Sequence, residues 1–311
     1  MVRVSLVVAL IAVLALPACT LNVASFQRDV RGESEATPFT RLRAELPTAA
    51  SGIDGVDITV RGGELDRGAA TVSVAGLLGS GADADAVASG VAIDWLTATD
   101  PVRGLRIGYA GPTPENVWVE QVAIELPRAT ELDLSCEDAS VDVAGLDAFV
   151  RVESTSGAIR VRDAREVSLE AASGSIDVIA EHGRLLARAG SIQMVLAGAV
   201  EAHADPGSIE GSFGRGGTLT SGVGSIDVTL TTALDRDLTI TTSGESVRLV
   251  VPATIAALLE VVTSPGGVHV AAGGATHDGR DFHGALGGGG PFTVRIETES
   301  GSVVVVDQVG P

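Results

Sequence analysis

The sequence contains no lysine; its basic side chains are 21 arginines, set against 40 acidic residues for a net charge of -19. Without lysine there is no phosphate-loop cation and no Schiff-base former, and so acidic a chain without a basic stripe excludes an extended nucleic-acid footprint. Cysteine is almost absent, at two residues, Cys19 and Cys136; if Cys19 carries lipid, Cys136 has no partner in the chain, and a hydrophobic core rather than a disulfide framework must hold the fold. Aromatics are few as well. Trp95, Tyr109 and Trp118 all lie in the first half, and after Trp118 there are only Phe149, Phe213, Phe282 and Phe292. A long stacking platform for sugars is therefore missing from the C-terminal half. CxxC, HExxH, dinucleotide glycine spacing and the Gly-x-Ser-x-Gly elbow are also absent.

What is abundant is glycine, 39 residues of it, with 45% hydrophobic residues, a composition for short strands and tight turns rather than disorder. One long apolar run exists, Val4 to Leu16 behind Arg3, which is short for a membrane span and reads as a secretory leader over residues 1–18. It ends Leu16-Pro17-Ala18-Cys19. That ending resembles the lipobox of bacterial lipoproteins, although Pro17 is a less usual filler. The resemblance implies that Cys19 is lipidated and becomes the mature N-terminus. Thr20, in place of an aspartate, implies the outer membrane in a host with two membranes. Residues 19–37 read as a polar tether beyond the anchor.

Beyond residue 130 the chain repeats a small residue, glycine, a small residue and a β-branched anchor: Ser156-Gly157-Ala158-Ile159, Ser173-Gly174-Ser175-Ile176, Ala189-Gly190-Ser191-Ile192, Pro206-Gly207-Ser208-Ile209 and Val223-Gly224-Ser225-Ile226. A degenerate copy precedes them at Val141, and looser ones follow at Val247, Val268 and Val303. Anchor spacings are 18, 17, 16, 17, 17, 21, 21 and 35 residues. A near-constant period means stacked repeats. Each period holds two alternating runs, such as Val167, Leu169, Ala171 and then Ile176, Val178, so each rung has two short strands and two corners. Glycine suits the corners through its access to positive φ, and serine through its hydrogen bonds to nearby backbone.

The expected fold is all-β, a right-handed parallel β-solenoid of short two-strand rungs over residues 131–311, rising about 4.8 Å per rung. A smaller β-rich region, 38–130, starts the column and caps it, with strand patterns near Ile58, Thr71–Val74, Leu105–Ile107 and Val117–Leu126 and a helical turn at Asp83–Ala88. The 35-residue spacing before Val303 is read as one rung carrying a loop insertion at 271–290, whose glycines project into solvent. The residue after each anchor faces outward, giving one lateral ladder: Asp142, Arg160, Asp177, Gln193, Glu210, Asp227, Arg248 and His269.

The segments Gln121–Pro127 running into Leu132-Asp-Leu134, the Ser-Gly-Ser-Ile ladder and the ending Phe292 to Val303 resemble a bacterial family known by the label "putative adhesin", short-rung β-solenoids often found on lipoproteins. The resemblance spans about 38 to 306. It implies the architecture and a cell-envelope setting, and it brings no catalytic motif, ligand or cofactor. This chain departs from the family where Cys136-Glu-Asp-Ala replaces the first Ser-Gly corner.

The residues raise three chemistries. His277, Asp278, Asp281 and His283 put four metal-ligand types within seven residues, but on a glycine-rich loop without rigid support, so no metal site is expected. Calcium-binding repeats need turn aspartates at nonapeptide spacing, and here the period is near 17 with the acids on strands. Paired carboxylates for a glycosidase have no loop-built cleft until the insertion, so no catalytic residue is assigned. The reading is a lipid-anchored, extracytoplasmic, non-catalytic scaffold or adhesin-like surface, with the membrane and an envelope protein or surface component as partners. The alternatives are a carbohydrate-active β-helix enzyme and a partner in envelope-stress signalling. Cys136, in step with Leu132 and Leu134, is read as a buried, inert thiol.

Overall fold

The computed structural model describes residues 24–34, 39–46, 55–78, 83–97, 102–109 and 117–308. The leader, Cys19 and Thr20 lie outside the described residues. The first part of the chain forms β1 (Ala24–Glu33), β2 (Arg41–Leu46), β3 (Val56–Gly63), β4 (Ala69–Leu78), the helical turn α1 (Ala84–Ala88), β5 (Val91–Thr97), β6 (Val102–Tyr109) and β7 (Val117–Pro127). The repeat region forms β8 (Glu131–Ala144), β9 (Phe149–Ser156), β10 (Ile159–Ser173), β11 (Ile176–Ala187), β12 (Ile192–Leu196), β13 (Val200–Ala204), β14 (Ile209–Phe213), β15 (Gly217–Ser221), β16 (Ile226–Leu230), β17 (Leu238–Thr242) and β18 (Val247–Val251). The chain closes with β19 (Ala257–Thr263), β20 (Val268–Ala272), β21 (Ala275–Gly279), β22 (Phe282–Leu286), β23 (Thr293–Thr298) and β24 (Val303–Asp307).

The strands form because alternate side chains are apolar and find a buried face. All nine anchors, from Val141 to Val303, are buried, while their outward neighbours are charged or polar with the exception of Val304. β7 breaks this alternation once. Glu120 is an extra residue opposite the Ser73–Val74 step of β4, so Val119 and Val122 both stay inside across a bulge. Asp83 caps α1, its carboxylate accepting from the Asp85 N–H at 2.9 Å.

Pairing is parallel through the repeats, each strand bonding its own copy one period away, and it sorts into two ladders. In the anchor ladder Ile192 lies between Ile176 and Ile209. The second ladder runs through β9, the C-terminal half of β10, the C-terminal half of β11, β13, β15 and β17. β8, β10 and β11 serve both ladders without a break, so two separate short strands per repeat appear only from β12 onward. Interior residues such as Ile176, Ile192, Leu185 and Leu219 are buried from both sides by their copies, each contributing on the order of 1.5–3 kcal/mol. That column of copies replaces the cross-links the chain lacks.

The expected order fails at both ends. The last strands in sequence are not last in space: β23 lies between β17 and β19, and β24 between β18 and β20. Val303 therefore separates Val247 from Val268. The first part of the chain does the same, with β3 between β7 and β8 and β2 between β6 and β8. The region before residue 130 thus extends the same two ladders, with its strands entering out of sequence order. Residues 24–33, expected within the tether, are strand β1, paired antiparallel to β4.

The 271–290 segment is also not a projecting loop. β21 pairs antiparallel with β20, and β22 antiparallel with β19, so the segment lies over the end of the column. Gly273 and Gly274, at φ 56° and 77°, make the tight turn between β20 and β21. The later glycines pack too: a Cβ on Gly287 or Gly290 would run into the carbonyl of Ile255 or Ala256. Antiparallel strands (β1, β4 and β5 at one end, β21 and β22 at the other) close a stack that is otherwise parallel, which blunts its open edges.

Candidate functional site

The corner following the second ladder is built from stacked backbone. A Cβ on Gly157 would strike the Ala139 carbonyl, and one on Gly174, Gly190, Gly207 or Gly224 would strike the carbonyl of the residue at the same corner one rung back. Glycine is thus required by close approach of rungs, beyond the φ argument. The adjacent inward position runs Ser154, Ala171, Ala187, Ala204, Ser221, Thr242, Thr298, Thr263. Its hydroxyls satisfy corner carbonyls: Ser221 Oγ donates to Gly207 O at 2.9 Å and Thr242 Oγ1 to Gly224 O at 3.0 Å. The irregular first corner works the same way, with Ser156 Oγ donating to Asp138 at 2.6 Å and Ser154 Oγ to Ala139 O at 3.2 Å. Cys136 is 5% exposed beside Leu134, and burial pushes its thiol pKa up, which makes it a poor nucleophile.

The outward face of the anchor ladder carries the predicted order with one change, Val304 standing between Arg248 and His269. Arg160 lies in register between Asp142 and Asp177. It pairs with Asp177 at 3.1 Å, and Arg162 reaches the same carboxylate at 3.6 Å. Asp142 is held by Arg61 of the inserted strand β3 at 2.9 Å. That hydrogen bond is the main reason the Asp142 carboxyl titrates below the usual aspartate range; burial opposes it, and the charges of Arg61, Arg160 and Arg162 add to it. Further along, Arg248 pairs with Asp227 at 3.2 Å and His269 with Asp278 at 2.6 Å. Asp235 is likewise lowered, by its hydrogen bond from Arg236 against burial and with help from Arg215. Among the described residues, Asp142 and Asp235 are thus two carboxyls that neighbouring arginines hold ionised.

The four candidate metal ligands do not converge. His277 points the way of Val270 and packs against Phe282 at 5.3 Å, while Asp278 is taken by His269. Asp281 accepts the Thr263 N–H at 3.1 Å, and His283 reaches Glu260 at 3.4 Å. Antiparallel pairing sends neighbours in sequence to opposite faces, and among the described residues no three His, Cys, Asp or Glu side chains gather to hold an ion.

Sequence reasoning missed Arg61, whose partner is 81 residues away across a strand insertion that no period announces. It also missed an open groove of about 520 Å³ along the corner before the second ladder, lined by Phe149, Glu166, His182, Arg184, Glu201 and Arg236 among others. There Arg184 pairs with Glu201 at 3.4 Å, and His182 Nδ1 accepts the Ala199 N–H at 3.2 Å, placing the neutral ring's proton on Nε2. A smaller hollow of about 350 Å³ lies between Glu260, Val262, Asp281 and His283.

No family model and no curated protein matches the chain. Among solved structures it is similar to a "putative adhesin" from Bacteroides fragilis NCTC 9343, at 10% identity and TM-score 0.37, over 90% of this chain and 97% of that one. A "putative adhesin" from Parabacteroides merdae ATCC 43184 matches at 12% identity and TM-score 0.31, over 91% and 96%. A "putative cell adhesion protein" from Clostridium sporogenes ATCC 15579 matches at 9% identity and TM-score 0.27, over 91% and 100%.

Proposed function

We propose that the protein is a right-handed β-solenoid, lipid-anchored through Cys19 on the extracytoplasmic side of a bacterial membrane, that offers its flanks as a non-catalytic, adhesin-like or scaffolding surface. The handedness follows from the strong bias of parallel crossover connections. The observation that carries the functional reading is the outer face from Asp142 to Asp278, a row of charged and polar groups, interrupted by Val304, that the ladder beneath fixes in register. Carboxylates held ionised by arginine suit recognition of a polar partner surface and not proton transfer. The test places photo-cross-linking residues at Gln193 and Glu210 in intact cells. Both positions are expected to capture one shared envelope component, with the adduct lost on Cys19→Ser as the protein leaves the membrane. Sugar release from isolated envelope polysaccharide by the purified protein, abolished by Glu166→Gln in the groove, would make it an enzyme instead.

A further inference from the structure

The chain enters the described fold at the rim where β1 begins, and the outer face of β1, β4 and β7 changes in character along the strands from that rim. Ser25 is in register with Leu77, and Gln27 with Ala75, which in turn faces Trp118 across β4 and β7. Leu77 is 46% exposed and Trp118 39% exposed, two large apolar side chains two positions apart at the same rim. Moving away from the rim the same face turns polar. Gln27 donates to Glu120 at 3.0 Å, Ser73 to Asp29 at 2.6 Å, and Arg31 pairs with Glu125 at 3.7 Å. The face is thus graded along the strands, apolar at the edge where the chain arrives and charged beyond.

Cys19 precedes Ala24 by five residues, a reach of about 18 Å when fully extended. Trp118 lies two strand spacings, about 10 Å, from Gln27. We propose that this rim of β1, β4 and β7 rests on the phospholipid bilayer, with Trp118 and Leu77 seated at headgroup level and the polar pairs just above it. The proposal rests on the lipid-anchor reading. Acylation alone fixes one point and leaves the column free to swing. An amphipathic indole and a leucine beside the attachment point give a second contact, of the kind that indole rings favour at membrane interfaces, and so set which flank faces outward.

The experiment uses the full chain, produced with its leader, purified and reconstituted into phosphatidylcholine vesicles. Trp95→Phe leaves Trp118 as the reporter. Quenching of its emission by about twofold when the lipid is dibrominated is expected. Because Trp95 packs against Phe39, a second variant, Leu77→Cys carrying an environment-sensitive label, repeats the measurement in a chain that keeps both tryptophans. Its emission should rise and shift to the blue on vesicles, while the same label at Gln193→Cys stays solvent-like. Protein that floats with the vesicles yet shows neither quenching nor a Leu77 signal overturns the orientation and leaves the anchor standing. Protein that does not float and carries no acyl group on Cys19 by mass takes both down.

Discussion

A Cβ on Gly190 would press into the carbonyl oxygen of Gly174, its counterpart one rung back in the column. Backbone conformation alone does not impose glycine here, since Gly190 is not among the residues with left-handed φ, whereas Gly157 and Gly174 are, at 105° and 141°. The shared cause along the corner is that successive turns stack backbone on backbone, leaving no volume for a methyl group.

Gly190→Ala therefore tests stacking free of φ strain. The obstructing atom is backbone held by its own ladder, so the substitution should cost about 2 kcal/mol or more in chemical denaturation. Gly108→Ala is the control, because nothing lies within 4 Å of a Cβ there and its φ is not left-handed. It should stay within about 0.5 kcal/mol. Equal effects from the two would mean the rungs are not packed at the corner as described.

The insertion of β24 between β18 and β20 is tested by cysteine pairs on the outer face. Val304 lies directly beside both Arg248 and His269, so Val304→Cys with His269→Cys should oxidise to a cross-link at a Cα spacing of about 5 Å. Arg248→Cys with His269→Cys should not, being two strands apart at about 10 Å. The opposite pattern on a non-reducing gel would restore the simple sequential order of repeats.

The core prediction follows from Ile192, buried between Ile176 and Ile209 in the middle of the stack. Ile192→Asp places a carboxylate among aliphatic side chains with no partner and should cost several kcal/mol, seen as a large loss of melting temperature. An unchanged melting curve would contradict the register.

The anchors from Val141 to Val268 were legible because a fixed period and a buried β-branched residue are both local signals. The same holds for the strands near Ile58, Thr71, Leu105 and Val117 and for the helical turn beginning near Asp83. The inserted strands were not legible. Parallel pairing is decided by which free edge a returning segment meets, and Val303 or Ile58 looks the same in sequence whether it ends a column or enters one. The 271–290 segment misled because glycine was read as freedom, while Gly287 and Gly290 serve close packing on Ile255 and Ala256. At the surface, the ladder around Arg160 was readable from the period, but the ion pairs were not: Arg61 arrives from another part of the chain and takes Asp142, leaving Arg160 to Asp177.

That exchange of partners gives the last prediction. Asp142 titrates below the ordinary aspartate range in the folded protein, so the unfolded chain binds its proton more readily than the native one does. The resulting stability is present above the ordinary aspartate range and is lost as pH falls through the lowered value. The largest cause is the Arg61 hydrogen bond, and Arg160 acts on Asp142 only through its charge. Arg61→Gln should therefore bring the Asp142 carboxyl, followed by carbon NMR, back toward the ordinary range and flatten the acid limb of the stability curve. Arg160→Gln should move it less, and that smaller effect should fade with salt, since charges across solvent are screened within about 10 Å at 0.1 M. In stability both changes should be mild, about 1 kcal/mol or below, because the pairs are exposed and Asp177 keeps Arg162 at 3.6 Å. If Arg160→Gln moves Asp142 as far as Arg61→Gln does, then β3 does not lie beside β8. The insertion of the chain's first strands into the column would then be wrong.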